Sequence, residues 1–282
     1  MTTGRLAALA LTVALATAGC GHHAHRPADL VVGSRPGIES TLLADVYTGA
    51  LRSYGFPAHT EQAPDPLSKL DSGDFVVVPG LTGRVLRTFQ PEADVRSDAQ
   101  VYKAMIGALP EGIAAGDYTT AAEDKPALAI SASTSKEWGG SDLGVLTKRC
   151  GGLTIGSVAG APTPSVVGTC RLPASREFTT AAALFAAVKS GELTAAWTTT
   201  TDPSVPGDLV VLTDGKPALV QAENVVPLYR RNELSTRQLL AVNEVAGVLD
   251  TAALVDMRRQ VVAGADPQAV ADAWLNEHPL GR

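Results

Sequence analysis

Strands that alternate with helices along most of the chain predict an α/β fold. Short apolar runs, typical of buried strands, occur at 29–33, 126–131 and 208–213, and segments with apolar residues at three- and four-residue intervals lie between such runs. This alternation predicts a mainly parallel sheet with helices on both faces. The chain has 282 residues, 45% of them hydrophobic, which is enough to bury the core of one large or two small domains.

The individual elements follow from this periodicity and from the residues that end each run. A strand at 29–33 is followed by a helix at 39–54, which Gly55 ends. Further strands are predicted at 56–60 and 74–78, with a helical turn at 67–70 between them, and two helices at 82–89 and 97–109. The next strands are predicted at 126–131, 153–158, 194–198 and 208–213, with helices at 141–148 and 179–189.

After a strand at 224–229 the pattern changes to three consecutive helices. Ser235 and Gln238 have the spacing of a capping box, in which each side chain satisfies a free amide at the helix start. Asp266-Pro267 begins the last helix with a cap residue and a proline at its first position. Trp274 on that helix is predicted to anchor it to the core, and a ligand contact is the alternative.

The first twenty residues have the pattern of a secretory signal. Arg5 supplies a positive charge, and the apolar run at 6–16 is about half the ~20 residues that a membrane span needs. Small residues directly before Cys20 resemble the lipobox of bacterial lipoproteins. We therefore predict a signal peptide over 1–19, lipidation of Cys20, and a membrane anchor on the extracytoplasmic face. Plain secretion is the alternative.

Residues 20–28 are predicted to form a tether between the lipid and the folded domain. His22, His23 and His25 lie in this tether, but a flexible tract lacks the fixed ligand geometry of a real metal site. No metal site and no cofactor are therefore predicted.

Charge and motif content exclude several function classes. The formal net charge is -6 and no stretch gathers five or six Lys or Arg residues, which excludes a nucleic-acid partner. The sequence has no glycine-rich phosphate loop, no His-Glu-x-x-His and no Gly-x-Ser-x-Gly motif. Only His59 and His278 lie outside the tether. No catalytic residue is therefore predicted, and an unrecognised enzyme remains a minority hypothesis.

Cys150 and Cys170 are the only cysteines after Cys20, and oxidising surroundings outside the cell favour a disulfide between them. The segment between them is rich in Gly and Pro and has little regular structure to hold it otherwise. Two buried thiols or a redox pair are the alternatives, although no Cys-x-x-Cys motif is present to lower a thiol pKa.

A series of short segments covers nearly all of the chain beyond the tether. They are Val32-Gly33-Ser34-Arg35, Lys69-Leu70-Asp71-Ser72-Gly73-Asp74, Val77-Val78-Pro79, Pro126-Ala127-Leu128-Ala129-Ile130, Thr200-Thr201-Asp202, Glu223-Asn224-Val225-Val226-Pro227 and Ala273-Trp274-Leu275. In this order they resemble the substrate-binding proteins of osmoprotectant ABC importers, the glycine betaine, choline and carnitine family, in a mycobacterial-type lipoprotein.

The resemblance implies a type II-like periplasmic-binding-protein fold, in which two α/β lobes are joined by two crossover segments. It places lobe one at 29–125 plus 224–282 and lobe two at 126–223. It also implies a monomeric receptor that binds a small polar or zwitterionic solute between its lobes and delivers it to an ABC permease. The alternative is a cell-envelope lipoprotein that uses the same fold for ligand sensing or protein interaction without transport.

The family's ligand residues are only partly present. Where the family has lysine and two cage tyrosines, this chain has Arg35, Leu81 and Pro126. Loss of two rings predicts weak binding of a quaternary ammonium and favours a zwitterionic or anionic solute, unless Tyr118, Trp138 or Trp197 substitutes. Arg35 could equally be a solvated loop charge. The predicted ligand-binding residues are Arg35, Arg84, Asp124, Thr82, Thr201, Asp202 and Asn224.

Overall fold

The computed structural model describes residues 29–281, and these residues form two lobes, each built on a five-stranded sheet. The predicted signal peptide, the lipidated Cys20 and the tether at 20–28 lie outside the described residues.

The described part of the chain contains twelve strands and nine α-helices. The strands are β1 (Leu30–Ser34), β2 (Ala58–Gln62), β3 (Val77–Leu81), β4 (Ile113–Ala115), β5 (Pro126–Ser131), β6 (Ile155–Val158), β7 (Val166–Val167), β8 (Cys170–Arg171), β9 (Arg176–Phe178), β10 (Ala195–Thr199), β11 (Leu209–Leu212) and β12 (Val225–Arg230). The helices are α1 (Ile38–Ser53), α2 (Pro66–Ser72), α3 (Thr82–Phe89), α4 (Asp98–Ala108), α5 (Ala132–Trp138), α6 (Ala181–Lys189), α7 (Thr236–Val248), α8 (Thr251–Val262) and α9 (Pro267–Glu277).

The first sheet has the order β2-β1-β3-β12-β4. Val32 of β1 pairs in parallel with Thr60 of β2 and with Val77 of β3, whereas β12 is antiparallel to β3 and β4. Helices α1, α7, α8 and α9 pack on one face through a large apolar cluster, and α2, α3 and α4 cover the other. The sheet is therefore buried on both faces, as the sequence predicted.

The second sheet has the order β11-β5-β10-β6-β9. Strands β6, β9 and β10 are parallel, and β5 is antiparallel to its neighbours β10 and β11. Helix α6 packs on one face, and a cluster that includes Trp197 and Cys170 covers the other.

The prediction of a mainly parallel sheet is wrong, because each sheet contains as many antiparallel as parallel pairings. Strands β5 and β12 cause the difference. Pro126 at the start of β5 pairs with Thr199 at the end of β10, and Val225 at the start of β12 pairs with Leu81 at the end of β3. A strand that enters a lobe from the crossover begins where its neighbours end, so it must run in the opposite direction.

The predicted two lobes and two crossover segments are confirmed. Glu123 and Asn224 form an isolated antiparallel bridge where the two segments pass each other, and the Asp124 amide donates to the Glu223 carbonyl at 2.9 Å. The lobe boundaries at 125/126 and 223/224 stay a prediction.

Several local predictions match the structure closely. Strand β5 and helix α3 have the predicted bounds, and both the capping box at Ser235 and the Asp266 cap of α9 are present. Trp274 is buried in the core and its ring stacks on that of His278 with centroids 4.8 Å apart, which supports the anchoring role. The helix predicted at 141–148 is a 3-10 helix over Leu143–Lys148, and the short elements β4, α5, β7, β8 and β9 were not predicted.

No single helix within residues 29–281 is long and apolar enough to cross a membrane. Helices α7 and α8 reach that length and apolarity only as a pair, which is bent by 97°.

The predicted disulfide is confirmed, since Cys150 and Cys170 are bonded to each other. It ties the end of the 3-10 helix to β8, and both cysteines pack in the core of the second lobe.

We expect the disulfide to be detectable by thiol counting. A Cys20→Ser protein, denatured without reductant, should show no reactive thiol because Cys150 and Cys170 are paired, and two should appear after reduction. Two thiols before reduction would show that the cysteines are free.

Candidate functional site

A cavity of about 760 Å³ opens at the carboxyl ends of β1 and β3. In the sheet, β2 is the neighbour of β1 on one side and β3 is its neighbour on the other. The cavity therefore lies at the point where the strand order reverses. Ligands of open α/β sheets bind at such points, because the loops after adjacent strands diverge there. The cavity is therefore the candidate site.

The cavity lining is rich in guanidinium groups. Four arginines line it together with one carboxylate residue, and the rest of the lining is apolar, small or hydroxyl-bearing. Among the described lining residues none carries an aromatic ring. The charged members are Arg35, Arg84, Arg87, Arg258 and Glu39.

Two helices begin beside the cavity. Helix α1 begins after Gly37, which has a φ of 126° and gives no side-chain cap, and residues 36–40 line the cavity. Helix α3 begins at Thr82, and its Arg84 amide donates to Glu223 Oε2 at 2.8 Å. A Cβ at Gly83 would lie 2.6 Å from the Ala222 carbonyl oxygen, so only glycine allows α3 to approach the crossover this closely. Free amides and the helix dipole favour anions at such ends.

Glu39, Arg84, Asp124 and Arg258 form a closed ring of ion pairs, here called the arginine–carboxylate ring. Arg84 Nη1 lies 2.8 Å from Glu39 Oε1, and Arg84 Nη2 lies 3.4 Å from Asp124 Oδ2. Arg258 Nη2 lies 3.7 Å from Glu39 Oε2, and Arg258 Nη1 lies 3.4 Å from Asp124 Oδ2. Each guanidinium therefore bridges both carboxylates.

Thr201 connects this ring to the second lobe. Its hydroxyl donates to Asp124 Oδ1 at 2.5 Å, its amide lies 3.3 Å from the same oxygen, and Arg258 Nη1 donates to the hydroxyl oxygen. Thr201 follows β10 of the second sheet, whereas Arg258 belongs to α8 on the first. The ring thus joins the two lobes beside the crossover.

The two carboxylates of the ring have opposite pKa shifts. Burial alone would raise the pKa of Asp124, but the charge of Arg258, hydrogen bonds from threonine and the charge of Arg84 together hold it below its ordinary value. Burial and then the charge of Asp124 raise the pKa of Glu39, against the opposing effect of both arginines. Asp124 is therefore the more firmly ionised of the two.

A second ion pair fixes Arg87 at the cavity wall. Its Nη2 lies 2.5 Å from Glu223 Oε1, and its Nη1 donates to Gln221 Oε1. Glu223 is buried, and this burial raises its pKa despite the charge of Arg87. Arg87 thus links α3 to the returning crossover segment.

Of the predicted ligand residues, Arg35 and Arg84 line the cavity. Asp124 belongs to the ring and does not line the cavity, and Thr201 is hydrogen-bonded to Asp124. The Arg35 guanidinium is exposed and has no carboxylate within 4.0 Å in the described part of the chain. Its backbone amide donates to Ser40 Oγ at 2.9 Å, which fixes the loop that carries it.

The cavity lining does not include Thr82, Asn224 or Asp202, which form hydrogen bonds with neighbouring parts of the chain. The Asn224 amide donates to Thr82 Oγ1 at 3.1 Å, and the Thr82 amide donates to the Asn224 carbonyl at 2.9 Å. Asp202 accepts from the Ser204 amide at 2.9 Å and from the Thr198 hydroxyl at 2.8 Å, which closes the turn after β10. Contact of these three residues with a ligand stays a prediction.

The structure adds Glu39, Arg87 and Arg258 to the site, which sequence reasoning did not propose. The sequence pattern around Arg258 could have identified it as a buried charge. Leu254, Met257 and Val261 form the buried stripe of α8, and Arg258 occupies a position of the same stripe, with spacing i, i+3, i+4, i+7. A lone charge at a core-facing position indicates a buried ionic partner.

The three aromatic residues considered as replacements for the cage lie elsewhere. Tyr118 packs against Tyr102 with ring centroids 4.5 Å apart, Trp197 is buried in the core of the second lobe, and Trp138 lies beside Arg149. None of the three lines the cavity at β1 and β3.

Comparison with known proteins gives a consistent assignment. Residues 28–277 match the family described as the substrate binding domain of ABC-type glycine betaine transport system. No curated protein matches the sequence significantly.

Solved structures share the fold. Apo YehZ from Escherichia coli is 18% identical, with a TM-score of 0.69 over 89% of this chain and 99% of its own. A glycine betaine/carnitine/choline ABC transporter protein is 15% identical, with a TM-score of 0.74 over 89% and 98%. An ABC-transporter choline binding protein in complex with choline is 16% identical, with a TM-score of 0.54 over 89% of both chains.

Proposed function

We propose, for a chain that belongs to the family of substrate-binding domains of ABC-type glycine betaine transport systems, that its cleft binds a zwitterionic or anionic solute rather than a quaternary ammonium. As a member of this family the chain is the extracytoplasmic solute-binding receptor of an ABC importer. The proposal concerns which solute it carries.

The arginine-rich cavity without aromatic rings is the observation that carries this proposal. A quaternary ammonium has no hydrogen-bond donor and is recognised by the faces of aromatic rings, each of which contributes about 0.5 to 2 kcal/mol. The cavity offers a quaternary ammonium no ring face, and its four guanidinium groups outnumber the single lining carboxylate, Glu39, and repel a cation. A cation of this kind is therefore a poor ligand here.

A carboxylate matches the same cavity well. Arg35 is exposed, unpaired within residues 29–281, and held by a loop that Ser40 fixes. A guanidinium can donate two parallel hydrogen bonds to one carboxylate, and the adjacent start of α1 favours negative charge. We therefore assign to Arg35 the role of holding the ligand's carboxylate together with the other guanidinium groups of the cavity.

Closure of the lobes completes the proposed binding cycle. Thr201 joins the second lobe to the arginine–carboxylate ring, and the proposed closure is a rotation of the lobes about the crossover. Closure removes the ligand from water, which strengthens its ionic contacts, and presents one joined surface to the permease.

Mass spectrometry of the solute that co-purifies with the protein tests this ligand class. The released solute should carry a carboxylate and no quaternary ammonium, and its amount should fall in Arg35→Ala protein prepared in parallel. Recovery of choline or glycine betaine would contradict the proposal.

We further propose that acylated Cys20 anchors the receptor to the membrane. Small residues before Cys20 form a lipobox-like sequence after an apolar run. Wild-type protein should partition into the detergent phase on phase separation, and Cys20→Ala should remain in the aqueous phase. Equal partitioning of the two proteins into the aqueous phase would exclude the anchor.

A further inference from the structure

We infer that Glu39 occupies the place that a ligand carboxylate takes in the cavity, so that the ligand displaces an internal competitor from Arg84 and Arg258. The inference rests on the proposed function, because it assumes a carboxylate-bearing solute. It adds two specificity-determining residues, Glu39 and Arg258, to those that the sequence predicted.

The contacts of Glu39 are those expected of a bound carboxylate ligand. One oxygen lies 2.8 Å from Arg84 and the other lies 3.7 Å from Arg258, so two guanidiniums hold the two oxygens. All three residues line the cavity, whereas Asp124 does not. A solute carboxylate that enters the cavity therefore meets these two arginines with Glu39 already between them.

The two carboxylates of the ring differ in how firmly they are held. The Asp124 side chain is 3% exposed, and it contacts both arginines and the amide and hydroxyl of Thr201. The Glu39 side chain is 25% exposed, and within the described residues its ion-pair partners are only the two arginines. Exchange of Glu39 therefore breaks two contacts, whereas exchange of Asp124 would also break the link to the second lobe.

The charge balance of the ring favours replacement of Glu39 by a ligand carboxylate over binding of a third carboxylate beside it. Two guanidiniums face two carboxylates, so an added ligand carboxylate would give the ring a net negative charge in a partly buried place. Removal or protonation of Glu39 restores neutrality. The groups that face Glu39 are Arg84 from α3, Arg258 from α8 and Asp124 from the crossover, and burial with the charge of Asp124 raises its pKa.

Titration calorimetry on Glu39→Gln protein tests the exchange. The probes are L-glutamate, glycine and glycine betaine, which carry a carboxylate, and choline, which shares the trimethylammonium group of glycine betaine without a carboxylate. Loss of the internal competitor should tighten binding of the carboxylate probes about tenfold and leave choline unchanged. Glu92→Gln is the matched control, because Glu92 is exposed in the turn after α3.

A pH series on wild-type protein tests the same exchange without a variant. Protonation of Glu39 frees both arginines, so binding of the carboxylate probes should tighten as the pH is lowered from neutral toward 4.5, the ordinary carboxyl pKa above which that of Glu39 is raised; the probes' α-carboxylates stay ionised there. Binding to Glu39→Gln should not change over that range.

The outcomes separate this inference from the proposed function. Carboxylate probes that bind wild type and Glu39→Gln equally at every pH would overturn the exchange and leave the proposed ligand class in place. Failure of every carboxylate probe to bind either protein would overturn both.

Discussion

Replacement of Arg258 by alanine should lower the free energy of unfolding by about 3 kcal/mol, because it removes one of the two guanidiniums that compensate the buried Asp124. The Asp124 side chain is 3% exposed and cannot recover the lost contact from water. The loss also removes the Arg258 donor to Thr201, and with it part of the link between the lobes. Urea unfolding of the folded domain measures the change.

The next residue provides a matched control. Arg259 also makes an ion pair, with Asp256 at 2.8 Å, but its side chain is 62% exposed where that of Arg258 is 16% exposed. Arg259→Ala should change the stability by no more than about 0.5 kcal/mol, since exposed pairs contribute little. Equal losses for the two variants would show that the arginine–carboxylate ring has no special role in stability.

The pH dependence of this effect has a definite sign. The pKa of Asp124 is depressed below its ordinary value of 3.8, so its contribution to stability is present above that value and is lost as the pH falls through the lower folded-state value. The raised pKa of Glu39 acts in the opposite sense, because it favours the unfolded state once the pH rises above its ordinary value of 4.5. The difference between wild type and Arg258→Ala should therefore shrink below about pH 4.

Much of the fold could be predicted from local signals. Strand β5 and helix α3 have the predicted bounds because an apolar run marks the strand and apolar residues at helical intervals mark the helix. Strands β7 and β8 have two residues each, too few for any periodicity to register. The prediction that β5 and β12 run parallel to their neighbours was wrong, because the order of elements along the chain does not show from which end a crossover enters a sheet.

The candidate site also contains residues that the sequence could locate and residues that it could not. Arg35 and Arg84 lie in loop and helix-start motifs that a family resemblance can locate, and both line the cavity. The partners of Glu39 and Arg258 are set only by packing, because α8 brings Arg258 against a residue of α1 far away in the sequence. Thr82 and Asn224 matched the family's order, but the structure shows them bonded to each other's backbone. A motif gives position along the chain and does not give the direction of a side chain.

Glycine betaine and choline should bind the protein about 5- to 1,000-fold more weakly than they bind an aromatic cage, because two ring contacts of about 0.5 to 2 kcal/mol each are missing. Titration calorimetry on unliganded protein with both compounds, carnitine and a panel of amino acids measures this directly. Solutes with a free carboxylate and no quaternary ammonium should bind most tightly. Arg35 is expected to contribute most to that binding, since among the arginines that line the cavity it is the one without a carboxylate partner in residues 29–281.

Arg35→Ala should therefore weaken binding of the best carboxylate solute by about 10- to 100-fold, the loss expected for hydrogen bonds to a charged group. Arg259→Ala again serves as the control, because it removes the same charge from an exposed position outside the cavity lining. A purely long-range charge effect would weaken binding in both variants, whereas direct contact affects only Arg35→Ala. Micromolar binding of glycine betaine that survives Arg35→Ala would contradict both the proposed ligand class and the role of Arg35.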